Sequence, residues 1–159
     1  MDNKLISATE QDEFFMGLAL EEARKAGDRK EVPVGAVIVD EQQKVLAAAG
    51  NNSIGESDPA GHAEIVAMRK AGKKTGNYRL LNMTIYVTIE PCVMCAGAMV
   101  HARVDRLVYG APDPKTGGVV SCYRVGGDGK LNHQLNVTGD VLAEECAKLL
   151  TSFFKKKRG

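Results

Sequence analysis

A short apolar strand that runs directly into two cysteines constrains this chain more than any other feature. Residues 84–89 are rich in β-branched side chains, which favour a strand, and Pro91 follows within two residues. Proline suits the start of a helix and residues 92–101 have helical composition, so we expect Cys92 and Cys95 in a first helical turn. A spacing of three residues puts both sulfurs on one face. With a histidine from elsewhere they supply three ligands for one zinc ion.

A second helix start lies upstream, after a loop at residues 50–61 that is rich in Gly, Asn, Ser, Asp and Pro. His62 opens this helix, and Glu64 lies two residues further on, close to the metal but pointing away from the ligand direction. A zinc ion with three protein ligands keeps a fourth position for a water molecule that loses a proton near neutral pH. A neighbouring carboxylate that carries protons suits hydrolytic attack on an electrophilic carbon, and hydrolytic deamination is such a reaction.

The other patterns along the chain predict an α/β protein. Helical spacing runs from a cap at Thr9 to a stop at Gly27, and a strand hairpin follows, with its turn at residues 40–43. The remaining predictions are a helix from residue 62 to the terminator Gly72, strands at 84–89 and 106–110, helices at 92–101 and 140–154, and mostly loop at 112–136. This order of strands and helices is typical of α/β architecture.

Length and charge predict one cytoplasmic domain. The 159 residues suit a single domain over residues 1–159, with a short N-terminal lead and a basic tail at 155–159. A net charge of +1 provides no global field for polyanions, so any polyanion site has to be a local patch. No apolar run is long enough for a bilayer span, and the acidic N-terminus lacks a signal peptide's apolar core, so we expect no membrane association. In the cytoplasm a Cys-x-x-Cys pair is expected to bind metal or to be redox-active.

The two helix starts together match a known signature. His62-Ala63-Glu64 and Pro91-Cys92-Val93-Met94-Cys95 correspond to the H-x-E and P-C-x-x-C motifs of the zinc-dependent deaminases. Further landmarks are Val32–Val37, Asn51, Asp58–Pro59, Asn77–Leu80, Thr88–Met99, Asp113–Gly117 and Phe153–Phe154. On these residues, the chain from about Asp12 to Phe154 resembles the bacterial TadA-type tRNA-specific adenosine deaminases of the cytidine deaminase-like superfamily.

The resemblance implies a fold, a reaction and a set of residue roles. The fold is a three-layer α/β/α cytidine deaminase-like fold with a central mixed sheet of about five strands. The reaction is deamination of adenosine to inosine at the wobble position of an arginine tRNA, with the anticodon stem-loop as substrate and a homodimer as the working form. The implied roles are one zinc ion per chain held by His62, Cys92 and Cys95, proton transfer by Glu64, and substrate contacts by Asn51, Asp113 and Lys115.

Two other functions stay open at this point. A deaminase of a free base or nucleotide, of the guanine or cytosine type, would use the same zinc chemistry, and only the rim of the pocket distinguishes it. A zinc-stabilised binding module without activity is the second, although a purely structural site has no need of a proton carrier such as Glu64. Some residues also have purely structural interpretations: Asn51 suits a turn, the basic tail suits a solvated end, and Phe153 suits the core. Phe154 suits packing, with an outward position that stacks on a nucleobase as the alternative.

Overall fold

The computed structural model describes the backbone of residues 2–158 and the side chains of residues 9–158. In chain order the elements are α1 (Asp2–Asp28), β1 (Gly35–Val39), β2 (Val45–Gly50), α2 (Ala63–Thr75), β3 (Thr84–Ile89), α3 (Val93–His101), β4 (Arg106–Ala111), β5 (Asn136–Thr138) and α4 (Ala143–Arg158). Within this described part, none of the helices combines the length and the hydropathy that a bilayer span needs.

The five strands form one mixed sheet in the order β2-β1-β3-β4-β5. β1 pairs antiparallel with β2 and β3, whereas β3 with β4 and β4 with β5 are parallel pairs. Because β3 and β4 are parallel, their carboxyl ends at Ile89 and Ala111 lie side by side at one edge. The chain segments that leave these two ends are therefore neighbours, at the place where open α/β sheets bind ligands.

Helices cover both faces of the sheet, and the predicted three-layer fold is confirmed. One apolar cluster joins α2 and α3 to strand residues such as Ile38 and Ile85. The other joins α1 and α4 to Val37 and Tyr86, the adjacent positions on the same strands. Neighbouring residues of a strand point to opposite faces, so strands this apolar on both sides require a helix layer on each.

α1 lies directly against the sheet. Gly35 permits the close approach, since a Cβ there would collide with the backbone of α1. Asp12 then ties the helix to β3 and β4 by accepting hydrogen bonds from both Arg106 guanidinium nitrogens, at 2.8 and 2.7 Å, and from the Tyr86 hydroxyl at 2.9 Å. Burial is the main reason that the pKa of Tyr86 is raised, and the hydrogen bond to Asp12 raises it further.

Two predicted helix ends are wrong. α1 begins at Asp2, so Thr9 lies within the helix instead of capping it, and neither glycine nor proline interrupts the residues before it. Gly72 does not end α2. The helix continues to Thr75, and Gly76, in a left-handed conformation (φ 70°), caps it with a hydrogen bond from its N–H to the Gly72 carbonyl.

The C-terminal third also departs from the predicted boundaries. β5 lies at the end of the predicted loop, and three residues are too few to show a strand period. α4 begins at Ala143 rather than at residue 140, because Asp140 and Leu142 have positive φ values of 63° and 53°. It continues through the basic tail to Arg158, where cations complement the helix dipole.

Candidate active site

A cavity of about 290 Å³ lies between the end of β3 and the starts of α2 and α3. Its lining includes five of the seven predicted site residues, namely Asn51, His62, Glu64, Cys92 and Asp113. A larger cavity of about 570 Å³ is lined by α2, α3 and residues 76–80, and none of the predicted residues reaches it. The chemistry that the sequence predicts therefore converges on the smaller cavity.

His62, Cys92 and Cys95 form a cluster at this cavity, and their possible ligand atoms all lie within 4.8 Å of one another. His62 Nδ1 is 3.5 Å from the sulfur of Cys92 and 3.4 Å from the sulfur of Cys95. A tetrahedral zinc with ordinary Zn–S and Zn–N bond lengths separates such atoms by about 3.5 Å. The donor set and its spacing thus fit one zinc ion with three protein ligands.

The two helix starts explain the positions of these ligands. His62 is the residue before α2, and Cys92 is the residue before α3, both in extended conformation. Pro91 therefore precedes the helix cap instead of occupying the first helical turn. Cys95, in the first turn of α3, is fully buried. Free amide groups and the helix dipole at these ends favour the anionic thiolates that bind metal.

Hydrogen bonds within the cluster shift the pKa values of all three residues. The hydrogen bond from Cys95, helped by one from His62, lowers the pKa of Cys92 to about 4. The bond to Cys92 and then burial raise the pKa of Cys95, and Cys92 likewise raises the pKa of His62. Zinc ligands have to be deprotonated, so metal binding releases the protons that these three residues carry.

Glu64 lies in the first turn of α2 and is only 4% exposed. Burial raises the pKa of its carboxyl to about 7, although the nearby His62 partly opposes this change. A carboxyl group with such a pKa both takes up and releases protons at neutral pH, which general acid–base catalysis requires. This pKa suits the predicted role of Glu64 as proton carrier beside the metal cluster, and the role itself stays a prediction.

Asn51 has a structural contact as well as a place at the cavity. Its Oδ1 accepts a hydrogen bond of 2.7 Å from the backbone N–H of Ala63, the first residue of α2. His62 makes no side-chain bond of this kind, so the cap comes from twelve residues earlier in the chain. The turn chemistry suggested by the sequence is thus replaced by a specific capping role.

Asp113 lines the cavity, whereas Lys115 does not. The Asp113 carboxylate accepts hydrogen bonds from the Thr116 hydroxyl at 2.6 Å and from the N–H groups of Lys115 and Thr116. Burial alone raises the pKa of Asp113, but these hydrogen bonds outweigh it and lower the pKa. Lys115 is exposed, and its substrate contact stays a prediction.

Several cavity residues have no role in the sequence analysis. Glu90, Thr116 and Leu150 belong to the lining. The one signal in the sequence is for Glu90, an acid at the end of an apolar strand, because a carboxylate buried there needs hydrogen-bond partners. Phe154 also lines the cavity and is 40% exposed, which fits the outward position that the sequence left open better than packing. Phe153 is only half-buried, beside a separate cavity between α1 and α4.

The comparisons with known proteins agree with this geometry. Residues 9–111 match the family model of the cytidine and deoxycytidylate deaminase zinc-binding region. The chain is 53% identical over 150 residues to the tRNA-specific adenosine deaminase of Haemophilus influenzae, covering 94% of this chain and 87% of the relative. It belongs to the tRNA-specific adenosine deaminase family. The enzyme of that family from Streptococcus pyogenes serotype M1 is 43% identical, with coverage of 94% and 86%.

Solved structures of related deaminases share the fold. One, from a study of A-to-I editing by tRNA:A34 deaminases at the wobble position of transfer RNA, matches with a TM-score of 0.83 and 44% identity, over 86% of this chain and 99% of that one. The guanine deaminase from Nitrosomonas europaea matches with a TM-score of 0.74 and 25% identity, over 89% and 83%. The tRNA-specific family thus shares its architecture with deaminases of free bases.

Proposed function

We propose that this chain is a zinc-dependent hydrolase that deaminates adenosine to inosine at the wobble position of a tRNA anticodon, in an arginine tRNA. The observation that carries the proposal is a His62-Cys92-Cys95 cluster beside a buried Glu64 in a single cavity. Membership of the tRNA-specific adenosine deaminases supports the same substrate. The overall reaction consumes adenosine and water and releases inosine and ammonia.

His62, Cys92 and Cys95 would hold the zinc ion. When bound, zinc supplies Lewis acidity, which lets a water molecule lose a proton near neutral pH. Glu64 accepts the first water proton on its carboxylate and delivers it to the ring nitrogen next to the reacting carbon. It then accepts the second proton from the hydroxyl group on that carbon and delivers it to the amino group, which leaves as ammonia. Burial of Glu64 keeps bulk water from competing for this proton.

The remaining cavity residues would bind the nucleoside. Asn51 and Asp113 present polar groups at the cavity, while Leu150 and Phe154 of α4 add apolar surface. A flipped base that leaves its stack needs both, since its edges form hydrogen bonds and its faces pack against apolar or aromatic side chains. The cations in the last turn of α4 follow Phe154 directly, which favours an RNA backbone at this rim.

The substrate is tested by offering RNA and small molecules side by side. We expect inosine in an anticodon stem-loop with adenosine at the wobble position, and none when that adenosine is moved into the stem. Guanine, cytosine and free adenosine should release little ammonia. Ammonia from guanine without inosine in RNA would instead assign a free-base deaminase, and no product from any substrate would leave only a zinc-stabilised binding module.

The zinc assignment has its own test. Cys92→Ser should lose both bound zinc and turnover, because two ligands no longer hold the ion at this site. Zinc content is measured by elemental analysis on the same samples that are assayed. Full activity in a verified metal-free Cys92→Ser protein would refute the assignment.

We also propose that the chain works as a homodimer in the cytoplasm, where its tRNA substrate occurs. Val93, Met94 and Val120 are large apolar side chains that are 44%, 40% and 46% exposed. They lie near each other, since Gly118 packs against the backbone that joins Cys92 to Val93. Exposed apolar patches favour protein contacts. Sedimentation equilibrium should give the mass of two chains, and a monomer at all concentrations would contradict the proposal.

A further inference from the structure

The Glu90 carboxylate is enclosed by donors from a single loop. Glu90 is 3% exposed. Its Oε1 accepts hydrogen bonds from the Asp113 N–H at 3.1 Å and from the Ser121 hydroxyl at 2.5 Å. Its Oε2 accepts hydrogen bonds from the N–H groups of Val119, Val120 and Ser121 at 3.3, 2.9 and 2.9 Å. Five hydrogen bonds from residues 113–121 thus converge on one side chain.

The same loop is held against the Glu90-Pro91 backbone. The 113–121 loop lies within residues 112–135, which contain neither helix nor strand, so no regular pattern of backbone hydrogen bonds fixes its position. The Gly118 N–H donates a hydrogen bond of 2.7 Å to the Pro91 carbonyl. A Cβ at Gly117 would lie 2.5 Å from both carboxylate oxygens of Glu90, so glycine allows this close approach. The dipeptide that precedes Cys92 therefore anchors residues 113–121 of this segment, and Val119 adds core packing.

What this loop brings to the cavity is the pair Asp113 and Thr116. The backbone N–H of Asp113 donates a hydrogen bond to Glu90, and the Asp113 carboxylate accepts one from the Thr116 hydroxyl. Any displacement of the loop from Glu90 moves both residues together. Such a displacement weakens the contacts that both residues make with a bound substrate, and a loss of about 1.4 kcal/mol in these contacts lowers affinity tenfold.

We propose that Glu90 is a positioning residue that sets substrate affinity by fixing the 113–121 loop where Asp113 and Thr116 line the cavity. Its role is separate from metal binding and from proton transfer, and it rests on the proposed function because the substrate that it helps to place is the wobble nucleoside. A carboxylate is required, since both of its oxygens only accept hydrogen bonds. A glutamine of the same shape would turn an NH2 group towards backbone N–H donors.

The test is Glu90→Gln, with Arg106→Lys as a matched control for lost stability. Arg106→Lys breaks the paired hydrogen bonds to Asp12, away from the cavity lining, and should lower Tm with KM unchanged. Glu90→Gln should raise KM for the stem-loop by about tenfold or more, while kcat changes less and zinc stays at one per chain. An unchanged KM in Glu90→Gln, with a fall in Tm like that of the control, would overturn the proposal.

A milder variant keeps the proposal testable if Glu90→Gln does not fold. Ser121→Ala removes the hydroxyl donor at an exposed position and leaves the four hydrogen bonds from backbone N–H groups to Glu90. KM should therefore rise by about two- to fourfold. Hydrogen exchange at the Val120 and Ser121 amides should also accelerate, and this readout needs no substrate. Unchanged KM and unchanged exchange in Ser121→Ala would refute the anchor. Absence of inosine with the wild-type protein would refute the proposed function instead.

Discussion

Replacement of Asn51 separates two roles that the structure combines in one side chain. Its Oδ1 caps α2 through the Ala63 N–H, whereas its Nδ2 donates no hydrogen bond among the described residues and lies at the cavity. Asn51→Ala removes both functions. Asn51→Asp keeps an acceptor for the cap, which the helix dipole favours, but it removes the donor that would contact the nucleoside.

The size of each effect follows from these contacts. Ala63 is fully buried, and loss of its 2.7 Å partner leaves an amide without a hydrogen bond. Such a loss costs about 1–3 kcal/mol, and a lost helix cap typically costs about 1 kcal/mol. Because water can enter from the cavity, we expect about 1–2 kcal/mol for Asn51→Ala. In a chain of this size that lowers Tm by about 3–6 °C.

Thermal unfolding and steady-state kinetics on the stem-loop measure the two roles separately. Asn51→Ala should lose stability by this amount and raise KM about fivefold, as expected for one hydrogen bond to the substrate. Asn51→Asp should unfold within about 2 °C of the wild type and still raise KM at least as much. Zinc content is checked in both variants. If Asn51→Asp restores Tm and KM alike, Asn51 is only a cap and its substrate role is refuted.

Three further predictions concern protons and metal. Glu64→Gln should keep its zinc and lower kcat by about 10²- to 10⁴-fold, and wild-type turnover in this variant would exclude Glu64 as the proton carrier. In zinc-loaded protein a thiol reagent should label the exposed Cys122 but not Cys146, because burial raises the pKa of Cys146 to about 12. After chelation Cys92 should react as well, because its sulfur no longer binds metal and its low pKa of about 4 favours the thiolate. The same labelling before and after chelation would contradict the metal site. Against the effect of burial, hydrogen bonds from the loop lower the pKa of Glu90, so its contribution to stability is present above the ordinary carboxyl pKa and is lost on acidification. The free energy of unfolding should therefore fall less steeply from about pH 5 to 3 in Glu90→Gln than in the wild type, as measured by urea titration, and equal slopes would rule out this contribution.

The local elements around the metal site could be predicted because their signals are local. The β-branched run at residues 84–89 is β3, with the bounds that the sequence predicts, and the cysteines follow at the start of α3 as expected. Ligand spacing, proline and helix dipole act within a few residues, so neighbours in sequence are sufficient to reveal them. The same holds for the hairpin of β1 and β2.

Features that depend on distant contacts could not be predicted. Gly72 has the composition of a helix end, yet α2 passes through it and ends only at Thr75. β5 is a strand because parallel pairing with β4 provides partners for its backbone hydrogen bonds, not because of its own residue types. The roles of Glu90 and Asn51 depend on partners 23–31 and twelve residues away, respectively, and no pattern within either segment records them.

The sequence by itself therefore determined the reaction. Two helix starts carry His62, Glu64, Cys92 and Cys95, and these residue types at these spacings predict a zinc site with a neighbouring proton carrier. Only the tertiary structure decided how the cavity around that site is built. Parallel pairing of β3 with β4 brings the Glu90 carboxylate to the loop that carries Asp113, and folding brings Leu150 and Phe154 of α4 into the cavity lining. Ligand chemistry belongs to residue types, whereas the position of a loop depends on long-range hydrogen bonds that form only once the chain has packed.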